Sequence, residues 1–166
     1  MRGIPGIYLH SFLGTENDVD SVLEERNRRS INRSIINKNR LIKSLDNSET
    51  TTHKIFNHLS KIIKIRTRQK SFHPNAGQQI LELNRSLFSL IRKSIDGKEG
   101  IVCITNVTNK NVKINIDLKE IAIQTSEFQE LISDEKFRTY GKYLSIDVEP
   151  YQILWLKYTQ SFLKSD

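Results

Sequence analysis

The sequence predicts an α/β segment of strand, loop and helix followed by an all-β antiparallel sandwich, and three observations carry this. Ile55, Phe56, Leu59, Ile62 and Ile63 recur at helical spacing, opposite Lys54, Lys61 and Lys64. Beyond residue 72, short β-prone runs follow one another with turn residues between them. The basic excess also stops near that point: residues 1–70 hold 14 Lys and Arg against 7 Asp and Glu, whereas residues 71–166 hold 12 of each. The expected division is therefore 1–71 and 72–166. A chain of 166 residues has room for one ordinary domain, or for a small domain plus a fragment of another.

Taken in order, Gly3-Ile4-Pro5-Gly6 is a turn that feeds a short apolar run, Ile7-Tyr8-Leu9, expected as a buried strand. From Ser11 to Arg33 no period of either kind persists, so this is a long loop, with a helical turn expected over Val19 to Arg26. A short helix is expected over Asn39 to Leu45. Ser48 to Thr52 supplies candidate N-caps for the amphipathic helix that runs to about Arg68. Strands are expected at Gln78 to Leu83, Leu87 to Lys93, Ile101 to Val107, Val112 to Ile116, Tyr143 to Val148 and Gln152 to Lys157. Asn84-Arg85-Ser86, Asp96-Gly97, Asn109-Lys110-Asn111 and Glu149-Pro150 punctuate them. Regular spacing of this kind suits an antiparallel sandwich.

Composition narrows the chemistry. With 37% hydrophobic and 27% charged residues the chain suits a soluble globular protein. Its longest apolar runs fall far short of the roughly 20 residues that span a bilayer, so no membrane association is expected. The start shows no cleavage-site pattern of a signal peptide. One cysteine, Cys103, excludes an internal disulfide and fits a reducing compartment or indifference to redox state; a cytoplasmic setting is expected. It lies in an apolar run and reads as packing rather than as a nucleophile. His10, His53, His58 and His73 lack metal-ligand spacing, and neither a metal nor a cofactor is expected. Glu16, Asp18, Asp20, Glu24 and Glu25 crowd one polar loop. Nothing apolar there would hold one of them protonated, so they read as solvated or as helix-starting residues. Arg26, Arg28, Arg29 and Arg33 form a dense basic cluster whose planar forks suit phosphate, a nucleic-acid backbone or simply solvent. No aromatic residues interleave it as single-strand binding would need.

One ordered set of segments is more specific. Arg2-Gly3-Ile4-Pro5-Gly6-Ile7-Tyr8-Leu9-His10-Ser11-Phe12-Leu13-Gly14, Asn17-Asp18, Arg29-Ser30-Ile31-Asn32-Arg33, Phe72-His73-Pro74-Asn75-Ala76, Asn106-Val107-Thr108 and Pro150-Tyr151-Gln152-Ile153-Leu154-Trp155-Leu156 resemble the last part of sucrose phosphorylase-like enzymes of glycoside hydrolase family thirteen, in the α-amylase clan. The spelling of His10 to Gly14 is closest to the glucosylglycerate and sucrose 6-phosphate phosphorylase branches. The resemblance implies the last βα unit of a (β/α)₈ barrel, with Gly6 to Leu9 as eighth strand, followed by the family's C-terminal sandwich. It implies a retaining glucosyl transfer to phosphate. The catalytic carboxylates would lie on upstream strands, so no catalytic residue is expected in this chain and the chain alone should be inactive. Its partners would be an α-glucoside, phosphate and an N-terminal barrel segment. Arg33 is the first candidate for the acceptor contact, with Arg29, His10 and Asn32 beside it on the rim. Two other readings stay open: a non-catalytic sugar- or protein-binding module using Tyr140, Tyr143, Tyr151 and Trp155, and a basic nucleic-acid binder using Arg26 to Arg33, which the missing aromatics disfavour.

Overall fold

Short polar caps set the helices of the first region. A computed structural model describes residues 2–160. In it α1 is Leu9–Leu13, α2 is Val19–Glu25, α3 is Lys38–Asp46 and α4 is Thr51–Thr67. The Asp18 carboxylate accepts from Ser21 N at 3.0 Å to start α2. That hydrogen bond holds the Asp18 carboxyl below the usual carboxylate range. Asn37 does the same for α3 through Arg40 N at 3.1 Å. Of the candidate caps ahead of α4, Thr50 is used: its Oγ1 accepts from His53 N at 3.2 Å. α1 ends on Gly14, whose φ of +59° is left-handed. A side chain at Gly14 would run into Ile55, so both the backbone and the space require glycine.

The strand expected at Gly6 to Leu9 is not formed. Tyr8 is extended, but Leu9 already opens α1, and no strand occurs among the described residues before Gly77. A strand exists only as part of a ladder, and this segment has no neighbouring strand to pair with. The loop helix and the helices expected at Asn39 to Leu45 and to about Arg68 do form, as α2, α3 and α4.

The described residues divide into two compact units, one spanning Pro5–Lys64 and the other holding residues 2–4 and 65–160. The second is an antiparallel sandwich of β1 (Gly77–Leu81), β2 (Leu87–Lys93), β3 (Glu99–Asn106), β4 (Val112–Asp117), β5 (Glu127–Glu130), β6 (Lys136–Arg138), β7 (Tyr143–Val148) and β8 (Ile153–Thr159). Six strands form one sheet in the order β1-β2-β3-β8-β5-β6, and β4 pairs with β7 in the other. Burial alternates along β4 and β7, so Ile114, Ile116, Leu144, Ile146 and Val148 meet Val102, Ile104, Leu154 and Leu156 in one core. β5 and β6 are the strands the sequence reading lacks.

The other face of the large sheet is covered by the chain that leaves α4. Arg92 is fully buried there, and it pairs with two backbone carbonyls and a side-chain amide rather than with a carboxylate. Its Nε donates to Ser71 O at 3.2 Å, its Nη2 to His73 O at 2.6 Å and its Nη1 to Gln78 Oε1 at 3.4 Å. Phe72 packs on Trp155 with ring centroids 4.8 Å apart, and the Arg66 guanidinium lies 4.7 Å above the Phe72 ring. Trp155 is thus packing. Cys103 stands in register with Leu90 and Trp155 on this face, and burial pushes its thiol up to about 12, so it stays protonated at neutral pH.

Candidate functional site

The candidate residues lie in Pro5–Lys64, where two hydrogen bonds draw three separate segments together. The Tyr8 hydroxyl donates to Asn32 O at 2.8 Å, and Asp18 N donates to Ile31 O at 2.8 Å. The end of the 5–8 segment, the start of α2 and the 3₁₀ turn Arg28–Asn32 therefore meet. The turn is itself pinned from within: Asn27 caps it through Arg29 N at 3.1 Å, and the buried Ser30 hydroxyl donates to the Glu25 carboxylate. Arg33 closes it, with its N donating to Ser30 O at 3.0 Å. Of the acidic residues of this loop, Asp18 thus serves a cap and Glu25 a turn.

His10 is brought to the same place. Its ring sits 5.3 Å from that of Tyr8, and its Nδ1 shares a 2.9 Å hydrogen bond with Thr15 Oγ1. Tyr8 therefore links His10 on one side to Asn32 on the other. The sequence reading included His10 and Asn32 but did not include Tyr8, whose hydroxyl holds the Asn32 carbonyl and whose ring lies beside that of His10. The signal for it was its place in the Ile7-Tyr8-Leu9 run, which reads as apolar packing. Arg29 and Arg33 are both exposed, and neither guanidinium has a partner among the described residues. The backbone that carries them is fixed, while their charged ends are free to receive an anion. No group of three or more His, Cys, Asp or Glu that could hold a metal ion occurs among the described residues. No helix among them is long and apolar enough to cross a membrane.

The other segments shared with the resemblance have a different role. Asn106 is buried, and its Nδ2 donates to Lys110 O at 2.7 Å, Val148 O at 3.3 Å and Glu149 O at 2.8 Å, while its Oδ1 accepts from Thr108 N and Thr108 Oγ1. Tyr151, at a φ of +57°, donates from N to Thr108 O at 3.1 Å. Asn106-Val107-Thr108 and Pro150-Tyr151-Gln152 thus form one junction that ties β3 to the ends of β4 and β7. Phe72 to Ala76 is the segment that Arg92 holds.

No established family pattern matches the chain. It is 29% identical over 159 residues to a glucosylglycerate phosphorylase of Spirochaeta thermophila, which covers 93% of this chain and 27% of that protein. It is 28% identical over 155 residues to a glucosylglycerate phosphorylase of Escherichia coli, covering 93% of this chain and 26% of that protein. Among solved structures, AmyP in complex with maltotriose superposes with a TM-score of 0.61 at 12% identity, over 69% of this chain and 23% of that one. An Anoxybacillus α-amylase does so with a TM-score of 0.57 at 16% identity, over 70% and 24%. These structures share the fold. The chain spans about a quarter of the length of the curated relatives it matches. It is thus similar in sequence to glucosylglycerate phosphorylases over most of its length, and similar in fold to part of α-amylases.

Proposed function

We propose that this chain forms the C-terminal part of a retaining α-glucoside phosphorylase, in which Pro5–Lys64 completes a (β/α)₈ barrel and the sandwich follows it. What carries the reading is the similarity to two glucosylglycerate phosphorylases over 93% of the chain, together with the Tyr8-centred cluster that fixes His10, Asn32 and the Arg29 to Arg33 turn in one place. In such an enzyme a carboxylate from the rest of the polypeptide displaces the leaving group to give a glucosyl-enzyme. A phosphate oxygen then attacks the anomeric carbon, the bond to the carboxylate breaks, and glucose 1-phosphate leaves. The reading gives Arg33 the incoming phosphate, through two charge-assisted hydrogen bonds that a planar fork can make and an ammonium cannot. Arg29 stands beside it, and the His10 ring and the side-chain amide of Asn32 take sugar or acceptor hydroxyls. The isolated chain has no carboxylate placed for this chemistry and is inactive. Glucosylglycerate is the favoured donor because of the relatives.

The test is a chimera in which the matched quarter of the Spirochaeta thermophila relative is replaced by this chain. Arg33→Lys in that chimera should lower the ratio of phosphorolysis to hydrolysis by about ten- to a hundredfold, the equivalent of one charged hydrogen bond. An unchanged ratio with Arg33→Lys but a lowered one with Arg29→Lys would move the acceptor contact to Arg29. A ratio unchanged by both makes the cluster structural.

A further inference from the structure

Three arginines converge on the segment that joins α4 to the sandwich, and no carboxylate answers them. The buried Arg92 bridges Ser71 O and His73 O, while the Arg66 guanidinium lies over the ring of Phe72 between those two residues. Arg2 N and Arg92 Nη1 donate to one acceptor, Gln78 Oε1, at 2.6 and 3.4 Å, and Gly3 N donates to Pro74 O at 3.2 Å, so the backbone at residues 2–3 is tied to the same place. Among the described residues none of the three guanidinium groups is in an ion pair. Glu99 accepts from Ser71 N, but its other oxygen is taken by Lys157 at 3.0 Å. Burial, and then the like charges of Arg66 and Arg2, lower the Arg92 guanidinium from the usual arginine range, although it keeps its proton at neutral pH. A buried cation beside two others is costly unless an anion shares the place. Arg2 is exposed and Arg66 half-buried, so the group has an open side.

We infer that Arg2 and Arg66, with the buried Arg92 behind them, form a phosphoryl-binding site in the sandwich unit. Planar forks match phosphoryl oxygens, and several positive charges without a counter-charge suit a dianion better than a single carboxylate. The ligand is inorganic phosphate or the phosphoryl group of a sugar phosphate. None of Arg29, Arg33, His10 or Asn32 takes part, so the inference stands whether or not the phosphorylase reading does.

Equilibrium dialysis of radiolabelled inorganic phosphate tests it, with the full chain carrying Arg29→Gln and Arg33→Gln at fixed ionic strength. That background removes the other arginines proposed to take phosphate. Phosphate should bind saturably. Arg66→Gln should raise Kd by about tenfold or more, as the loss of one charge-assisted fork implies, and Arg66→Lys by less, because the charge stays. Arg2→Gln should weaken binding as well, and acetate should compete only at concentrations about tenfold above those of phosphate or higher. The single tryptophan, Trp155, packs on Phe72, so its emission during urea unfolding shows whether each variant keeps its sandwich. Competition by glucose 1-phosphate would make a sugar phosphate a ligand of the site, whereas its exclusion would leave the free anion. No saturable binding in the double-variant background overturns the inference, and so does binding that Arg66→Gln and Arg2→Gln leave unchanged. Should Arg66→Gln fail to fold, Arg66→Lys and Arg2→Gln decide, and an unchanged Kd in both overturns it. Acetate bound as tightly as phosphate overturns the phosphoryl assignment.

Discussion

Pro5–Lys64 and the sandwich are built from equally clear local signals, yet they differ in what they bury. In the first, only Leu13 and Ser30 are buried, although three helices are capped and one of them is amphipathic over its length. In the second, a continuous cluster from Leu81 to Tyr158 is closed between two sheets. Caps and periodicity decide where helices start and stop, but they contribute only about 1 kcal/mol each. Lasting stability comes from packing an apolar face against something. The region that carries every candidate contact for substrate is the one that cannot supply that packing by itself.

The largest expected effect follows directly. In the isolated chain the first region should open locally while the sandwich opens only on global unfolding. Limited proteolysis should therefore cut first between Gly14 and Asn57 and leave a fragment starting near residue 70. Uniform protection along the chain would break the comparison. A smaller effect tests how the segment after α4 is held against the large sheet. Arg92→Ala removes a buried guanidinium and leaves the Ser71 and His73 carbonyls without their donor, and should cost about 3–5 kcal/mol in urea unfolding of the sandwich. Arg92→Lys keeps the charge but cannot reach both carbonyls, and should recover less than half of that loss. A loss under about 1 kcal/mol for Arg92→Ala would mean that the connector holds without its guanidinium.

The smallest effects lie inside the core. Gly100 has no side chain because the Tyr158 ring lies against it, so Gly100→Ala should cost about 1–3 kcal/mol by overpacking. The Tyr158 hydroxyl is buried without a hydrogen-bond partner, and burial pushes its ionisation up to about 12. Tyr158→Phe removes that orphaned group and should be neutral or stabilising by up to about 1 kcal/mol. A marked loss of melting temperature with Tyr158→Phe would show that the hydroxyl has a partner in solution.

Most of the sandwich was legible in the sequence because its strands are β-prone runs set off by turn residues. Leu87 to Lys93 and Tyr143 to Val148 match β2 and β7 end to end. β5 and β6 were not legible, because each has one apolar residue, Phe128 or Phe137, among polar and charged neighbours. Glu130 also occupies a buried position that sequence reasoning gives to an apolar side chain. Its carboxylate accepts from Ile132 N, Ser133 N and Trp155 N, so it replaces hydrophobic packing with a closed set of hydrogen bonds. The missing strand at Gly6 to Leu9 has the opposite cause. Its apolar pattern is present, but pairing is a property of neighbours, and pattern alone cannot supply them. Arg29, Arg33, His10 and Asn32 could be named from motif order, whereas Tyr8, which links two of them, needed the geometry.

The central claim is that this chain supplies the acceptor side of a phosphorylase and none of its carboxylate chemistry. Glucose 1-phosphate released from glucosylglycerate and phosphate should be measured for the pure chain and for the chimera, side by side. The expected result is no release above a blank for the chain and clear release for the chimera. Release by the chain alone, with activity from the expression host excluded, or none from a cooperatively folded chimera, would contradict the claim.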